Sequence, residues 1–196
     1  DMWIHESFTN YSESLFLDYY YGKKASSEYV IGLRKTIANK KTIIGKYDLN
    51  NEGSSDMYNK GGNMLHTLRQ LVDNDQKWRM ILRKMNKKFY HQTVTTNQIE
   101  AFLSRETALD LTPFFNQYLR DIRIPVLEHN LIDGKMSYRW NNVVEGFKMP
   151  IDLIVTDHIA GNEEKIRIFP TQKWKSKKLK GSVKIDINYY VDSKKI

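Results

Sequence analysis

Residues 126–140 read VLEHNLIDGKMSYRW, and here the spacing of apolar residues along the chain changes. Side chains on both sides of Asp133-Gly134 alternate with the two-residue period of a strand, and the second run ends at Trp140. Asp-Gly suits a two-residue hairpin turn, because both central residues of that turn need a positive φ. The sequence therefore predicts a β-hairpin here, and the chain changes character at about Ile122.

The segment before this point has the three- and four-residue spacing of amphipathic helices. We expect the first helix to stop at Gly22 and a second to begin near Ser26. Residues 40–56 are rich in glycine, asparagine and serine, which indicates a loop. A third helix is predicted from about Asp56 to Val72. The predicted inner side chains of the first helix are Phe8, Tyr11, Leu15 and Tyr19.

Polar caps set the predicted starts of three more helices. They are Asp75 for the fourth helix, the capping-box pair Thr95 and Gln98 for the fifth, and the Thr112-Pro113 cap for the sixth.

Short apolar or alternating runs with turn signals between them follow residue 122, and they favour a small β-sandwich. The predicted elements are a strand at Pro150–Thr156, a turn at Ala160-Gly161-Asn162, a strand at Lys165–Phe169 and a last strand from Val183 to Tyr189. The fold class predicted for the chain is α+β. A helical part occupies residues 1–121, and a β-sandwich occupies residues 122–196.

Composition excludes several kinds of site and anchor. The chain has 196 residues and no cysteine, so disulfides and thiolate metal sites are excluded. No apolar run approaches the roughly 18 residues that a membrane span needs. The first residues lack the basic and apolar regions of a signal peptide, and they lie inside a predicted helix without a cap. We therefore expect the chain to be a piece of a longer protein.

The net charge of +8 is concentrated at the C-terminal end, where residues 171–196 hold eight lysines and two aspartates. The densest stretch runs from Lys173 to Lys180. We interpret it as a solvated edge strand or loop that lysines protect from pairing. The alternative is a surface that binds a polyanion. Trp140 and Trp174 lie in this β part, and their exposure would help to decide between the two.

The pentapeptide from His5 to Thr9 begins like the zinc-binding pattern H-E-x-x-H but ends in threonine. The other four histidines are scattered along the chain. A catalytic zinc ion normally needs three protein ligands. A self-contained zinc site is therefore not predicted.

A longer match includes the same residues. Residues 3–13, WIHESFTNYSE, resemble the W-L-N-E-G-F-A-x-Y-x-E segment of zinc metallopeptidases of the aminopeptidase N family, which are gluzincins. The resemblance implies that Glu6 is the third zinc ligand and that the family's H-E-x-x-H helix lies upstream of Asp1. It also implies that Glu13 is a carboxylate that orients the ligands. His5 and Ser7 depart from the family pattern, which usually has asparagine and glycine there.

A second match begins at Tyr58, 52 residues after Glu6, where Tyr58-Asn59-Lys60-Gly61 resembles the family's Y-x-K-G segment. The resemblance implies that Tyr58 donates a hydrogen bond to the oxyanion of the tetrahedral intermediate. One such donor is typically worth about 10²–10³ in rate.

The resemblance extends over the whole chain. It implies the C-terminal helical lobe of a thermolysin-like catalytic domain followed by a β-sandwich domain. The implied parent is an aminopeptidase that holds Zn²⁺ and takes peptides as substrates, and we expect this chain alone to lack zinc and to be inactive. The alternatives are a family member that has lost catalysis and a non-catalytic module that binds a polyanion or a protein. We expect no nucleic-acid partner. Oligomeric state and compartment stay open: bacterial periplasm, secretion and cytoplasm all fit.

Overall fold

The computed structural model describes residues 1–157 and 161–196, which form two compact units, Asp1–Ile122 and Arg123–Ile196. The first unit is helical and the second consists of two small sheets. The predicted fold class, a helical lobe followed by a β-sandwich, is confirmed. Among the described residues, no helix combines the length and the apolar character needed to cross a bilayer.

Five α-helices and one 3₁₀ turn are described in the first unit. They are α1 (Trp3–Gly32), a 3₁₀ turn (Leu33–Thr36), α2 (Asp56–Val72), α3 (Asp75–Lys88), α4 (Thr96–Thr107) and α5 (Thr112–Leu119). Helix α2 is the centre of this unit, because every residue from 60 to 69 is buried. Its apolar side chains Met64, Leu65 and Leu68 have no exposed surface.

Helix α1 is a helical hairpin rather than a rod. Gly22 has φ 87° and ψ 169°, and helical residues follow it directly. The hydroxyls of Ser14 and Ser26 lie 2.8 Å apart, whereas a straight helix would separate these residues by about 18 Å. The predicted break at Gly22 is confirmed. The second helical run begins at Lys23, earlier than the predicted start near Ser26. The inward prediction for Tyr19 was wrong, because Tyr19 lies near the bend and is 79% exposed.

Two predicted caps were wrong by one residue. The cap of α3 is Asn74, whose side chain accepts a hydrogen bond from the backbone N–H of Lys77 at 2.8 Å. Asp75 instead forms an ion pair with Arg69 at 2.8 Å. Thr112 is the first residue of α5, and its cap is Leu111, which makes no side-chain capping bond.

The capping box of α4 is confirmed. Thr95 accepts a hydrogen bond from the backbone of Gln98, and the Gln98 side chain accepts one from the backbone N–H of Thr95 at 2.9 Å. Both orphan donors at this helix start are therefore satisfied.

Seven strands are described in the second unit. They are β1 (Val126–Ile132), β2 (Lys135–Asn141), β3 (Ile151–Thr156), β4 (Glu163–Ile168), β5 (Lys175–Lys178), β6 (Ser182–Ile185) and β7 (Asp192–Lys195). One sheet has the order β5-β2-β1-β7 and the other the order β4-β3-β6. The predicted hairpin joins β1 to β2 through Asp133 and Gly134, which have φ values of 48° and 72°.

The last predicted strand is shorter than expected. It ends at Ile185 as β6, and Ile187 is exposed in the turn that follows. Strand β7 was not predicted; it pairs in parallel with β1. The basic stretch supplies β5, an edge strand whose four residues are all exposed, as the edge-strand interpretation predicts. In the turn predicted at residues 160–162, Gly161 has φ 69°, and Ala160 lies outside the described residues.

Candidate functional site

Glu6 and Tyr58, the two residues predicted to carry the chemistry, lie side by side where α1 meets α2. The nearby negative charge of Glu6, followed by partial desolvation of the phenol, raises the pKa of Tyr58. Glu6 is half-buried and Tyr58 is 43% exposed, so the pair faces solvent. The arrangement presents the Glu6 side chain beside a phenol with a raised pKa, and a protonated phenol can donate a hydrogen bond.

Two glycines of α2 permit this proximity. A Cβ added to Gly61 would lie 1.9 Å from Oγ of Ser7, and one added to Gly62 would lie 2.2 Å from Oδ1 of Asn10. At Gly62 the Asn10 side chain can turn away from an added Cβ, because the Cγ and Cβ of Asn10 lie 3.3 and 3.9 Å from it. At Gly61 the added Cβ would also lie 2.6 Å from the Cβ of Ser7, which no rotamer change relieves, so a larger residue would push the helices apart. Gly61 therefore sets how closely Tyr58 approaches α1.

Side-chain hydrogen bonds fix the register of the two helices. Ser7 Oγ donates to the carbonyl oxygen of Met57 at 2.7 Å, and Asn10 Nδ2 donates to Oδ1 of Asn59 at 3.2 Å. These acceptors flank Tyr58 in the chain, so both bonds restrain its backbone. Ser7 stands where the family segment usually has glycine, and here its hydroxyl makes a specific contact with α2.

The carboxylate of Asp56 ties the loop before α2 to the start of that helix. It accepts hydrogen bonds from the backbone N–H groups of Ala38 and Asn39 at 2.8 and 2.7 Å. A carboxylate in the first helical turn is also favoured by the helix dipole. The start of α2, two residues before Tyr58, is thereby anchored.

Lys60, two residues after Tyr58, is completely buried. Its Nζ donates to the carbonyl oxygen of Asp121 at 2.9 Å. Burial lowers its pKa to about 8, against the opposing charges of Asp56 and Asp121. Lys60 therefore holds α2 to the end of the helical unit. No local pattern predicts a role for Lys60, although it lies within the segment that resembles Y-x-K-G.

Tyr11 belongs to the core behind the site. Trp78 Nε1 donates to its hydroxyl at 3.1 Å, and burial raises the pKa of Tyr11 to about 12. Beside it, Arg69 pairs with Asp18 at 2.7 Å and with Asp75 at 2.8 Å. This cluster binds α1, α2 and α3 together, so the tyrosine of the first segment is a packing residue.

Glu13 is not brought to the pair. It lies two helical turns from Glu6, about 10 Å along the axis, and its carboxylate accepts a hydrogen bond from the hydroxyl of Tyr29. That bond raises the pKa of Tyr29. Within the described ranges, no hydrogen bond or ion pair joins Glu13 to Glu6. Its role in orienting ligands stays a prediction.

The Glu6 side chain has the chemistry of a single metal ligand. Zinc accepts carboxylate oxygens, and the half-buried Glu6 carboxylate lies beside a phenol that can donate a hydrogen bond to a bound group. In residues 1–157 and 161–196 there is no cluster of three or more histidines or carboxylates that could hold a metal ion. The pair therefore combines one possible metal ligand, Glu6, with one hydrogen-bond donor, Tyr58.

Comparisons with known proteins agree with the family resemblance of the first unit and with the fold. The sequence model described as "Peptidase family M1 domain" matches residues 1–118. Among solved structures, the chain is similar to the crystal structure of Legionella pneumophila aminopeptidase A in complex with aspartic acid, with a TM-score of 0.67 and 13% identity. The match covers 99% of this chain and 24% of that chain, so this chain spans about a quarter of that enzyme's length. A search of curated proteins gives no match.

Proposed function

This chain belongs to peptidase family M1, and from that premise we propose that it is part of a zinc-dependent aminopeptidase in which Glu6 is a zinc ligand. In the proposal, Tyr58 donates to the oxyanion. The first unit is the end of the catalytic domain and the second is the β-sandwich domain that follows it. One observation carries the proposal: residues 52 positions apart in the two family-like segments form an adjacent carboxylate–phenol pair.

The chemistry of this chain in that site is hydrogen bonding and ligation. Bound zinc supplies a Lewis acid that polarises the scissile carbonyl and activates a water molecule. Tyr58 is protonated at neutral pH, as a phenol with an ordinary pKa of about 10 already is, and Glu6 raises its pKa further. Its hydroxyl can therefore donate to the carbonyl oxygen as negative charge develops there, an interaction worth about 10²–10³ in rate. The glycine contacts and the Ser7 bond hold the donor in place before substrate arrives.

Two family segments do not occur in this sequence. The H-E-x-x-H helix supplies the other ligands and the general base, and G-x-M-E-N holds the free amino group of the substrate. We propose that the 196-residue chain alone neither hydrolyses peptides nor holds stoichiometric zinc. Elemental analysis and an aminopeptidase assay on the isolated chain test this, and one zinc per chain with turnover would contradict it.

The ligand assignment is tested in a longer protein that carries this chain together with an H-E-x-x-H helix. Glu6→Gln removes the charged ligand and should lower both zinc content and peptide hydrolysis at least tenfold. Glu28→Gln is the matched control, because Glu28 is an exposed carboxylate on the same helix. Full zinc occupancy and an unchanged rate for Glu6→Gln would refute the assignment.

Glu13 keeps a supporting place in the proposal. Tyr29 fixes its carboxylate by a hydrogen bond, which suits a group that orients a ligand supplied by another part of the protein. Loss of such a group typically weakens metal binding about 10–100-fold. Glu13→Gln should therefore lower zinc affinity in the longer protein, and an unchanged dissociation constant would remove Glu13 from the site.

A further inference from the structure

The outer face of the β5-β2-β1-β7 sheet has an ordered pattern of side chains. Met136, Tyr138 and Trp140 are buried, so the alternate residues of β2 point to the other face. Strand pairing then assigns the neighbours, because partners in register share a face.

Three rows of side chains cross this face. The first consists of Trp174, Arg139, Glu128 and Lys194; the middle row of Ser176, Ser137, Asn130 and Ile196; the third of Lys178, Lys135 and Ile132. Trp174 and Ile196 continue the register just beyond β5 and β7, and the backbone N–H of Ile196 donates to the carbonyl of His129 at 2.9 Å. We call the furrow over the middle row, between the first and third rows, the outer groove.

The outer groove is a real cavity with short side chains at its floor. It has a volume of about 630 Å³, and its lining includes Ser137 and Asn130 from the middle row. Longer side chains form the walls on both sides. The groove crosses four strands, which places its ends about 14 Å apart.

On the first-row wall Arg139 is paired with Glu128, and Lys194 leaves the row with one net positive charge. The guanidinium of Arg139 lies 4.8 Å from the centre of the Trp174 ring and donates to the carboxylate of Glu128 at 2.7 Å. Hydrogen bonds from Arg139 and Asn141 lower the pKa of Glu128. Trp174 is nevertheless 47% exposed, so it is held in place while much of its surface stays open to a ligand.

The opposite wall carries unbalanced positive charge. Lys135 and Lys178 are direct cross-strand partners, an arrangement that is unfavourable without a counter-ion. Asp133 lines the same cavity, but no salt bridge within 4.0 Å is described for either lysine in residues 1–157 and 161–196. This wall therefore favours a ligand with negative groups.

Apolar surface is also exposed in the groove. Ile132 is 61% exposed and Ile196 is 54% exposed, and both line the cavity. An aliphatic side chain of a ligand would cover both and remove their apolar surface from water, which favours binding.

We propose that the outer groove binds an extended acidic peptide segment that carries aliphatic side chains. The two lysines take its carboxylates, the two isoleucines take its apolar side chains, and Asn130 and Ser137 hydrogen-bond to its backbone. About four extended residues span the groove. Single-stranded nucleic acids and sugars bind by stacking on several aromatic rings, whereas Trp174 is the one aromatic residue lining the described cavity.

The proposal is tested by binding of a labelled peptide of sequence ELEELE to the 196-residue chain, measured by fluorescence anisotropy and by amide chemical-shift mapping. We expect saturable binding, with shifts at Asn130 and Ser137. The double variant Lys135→Gln, Lys178→Gln should bind at least fivefold more weakly. Trp174→Ala should bind about tenfold more weakly, as expected of an aromatic anchor.

Lys184→Glu is the matched control, because it changes the net charge by the same two units from an exposed position on β6 of the other sheet. It should change affinity less than twofold. The proposal is overturned if the control weakens binding as much as the double variant, or if the peptide KLKKLK binds equally well. It is also overturned if ELEELE fails to bind while a sulfated oligosaccharide or an oligothymidylate shifts the same amides.

Discussion

Replacing Gly61 by alanine tests the close helix crossing that places Tyr58 beside Glu6. The new Cβ would lie 1.9 Å from Ser7 Oγ and 2.6 Å from Ser7 Cβ. A rotamer change of Ser7 relieves the first contact but not the second, so the helices must separate. Overpacking destabilises the fold by about 1–3 kcal/mol, and loss of the Ser7–Met57 hydrogen bond destabilises it by about 1 kcal/mol. The higher helix propensity of alanine stabilises it by about 1 kcal/mol. We expect a net loss of about 1–3 kcal/mol of unfolding free energy.

The assay is urea unfolding of the 196-residue chain followed by circular dichroism. Gly32→Ala is the matched control, because Gly32 has helical φ and ψ and no atom lies within 4 Å of an added Cβ. That variant should be unchanged or more stable by up to about 1 kcal/mol.

A double-mutant cycle isolates the contact itself. Ser7→Gly removes both clashing atoms, and the remaining Ser7 Cα lies 3.4 Å from the added Cβ, an ordinary contact. Gly61→Ala should therefore cost about 1–3 kcal/mol less in the Ser7→Gly background than alone. The steric explanation is refuted if the effects of Gly61→Ala and Ser7→Gly on unfolding free energy add without coupling. It is also refuted if Gly61→Ala changes stability no more than Gly32→Ala does.

Three further predictions concern charged groups. Glu6→Gln should lower the pKa of Tyr58, because it removes the adjacent negative charge. The pKa is measured by ¹³C NMR of the Tyr58 Cζ as the pH is raised. An equal Tyr58 pKa in the variant and the unmodified chain would show that the two side chains are not neighbours. Lys60 has a folded pKa of about 8, below its unfolded value, so the unfolded chain binds more protons above pH 8. Stability should thus rise by on the order of 2 kcal/mol between about pH 7.5 and 9.5 relative to Lys60→Met, and parallel pH profiles of the two proteins would contradict this. Arg167 donates to both oxygens of the buried Asp152 at 2.7 and 2.9 Å. Arg167→Met should therefore lower the unfolding free energy measured in urea by about 3–5 kcal/mol, because it leaves a buried carboxylate without its main partner. A decrease below about 1 kcal/mol would show that the pair contributes little to stability.

Local chemistry made several elements predictable from the sequence. The Asp133-Gly134 turn has two positive φ values that these residues tolerate, and the Thr95–Gln98 capping box satisfies its own backbone donors. The spacing of Glu6 and Tyr58 in two family-like segments indicated a pair, and the fold brings them together.

Tertiary contacts decided what the sequence did not reveal. Gly22 signals a break, but only the buried contact between Ser14 and Ser26 shows that the chain reverses there. Asp75 is an adequate helix cap in isolation, yet its pairing with Arg69 leaves Asn74 to cap the helix. The burial of Lys60 depends on a carbonyl 61 residues away, which no local pattern encodes.

In the proposed function, Tyr58 supplies the oxyanion donor of an aminopeptidase. The most direct measurement is the steady-state kinetics of Tyr58→Phe in a longer protein that carries the complete metal site, with zinc content and thermal stability confirmed as unchanged. We expect kcat to fall by about 10²–10³ while KM changes little, because the hydrogen bond strengthens in the transition state. A kcat within a few-fold of the unmodified protein would show that Tyr58 is not the oxyanion donor.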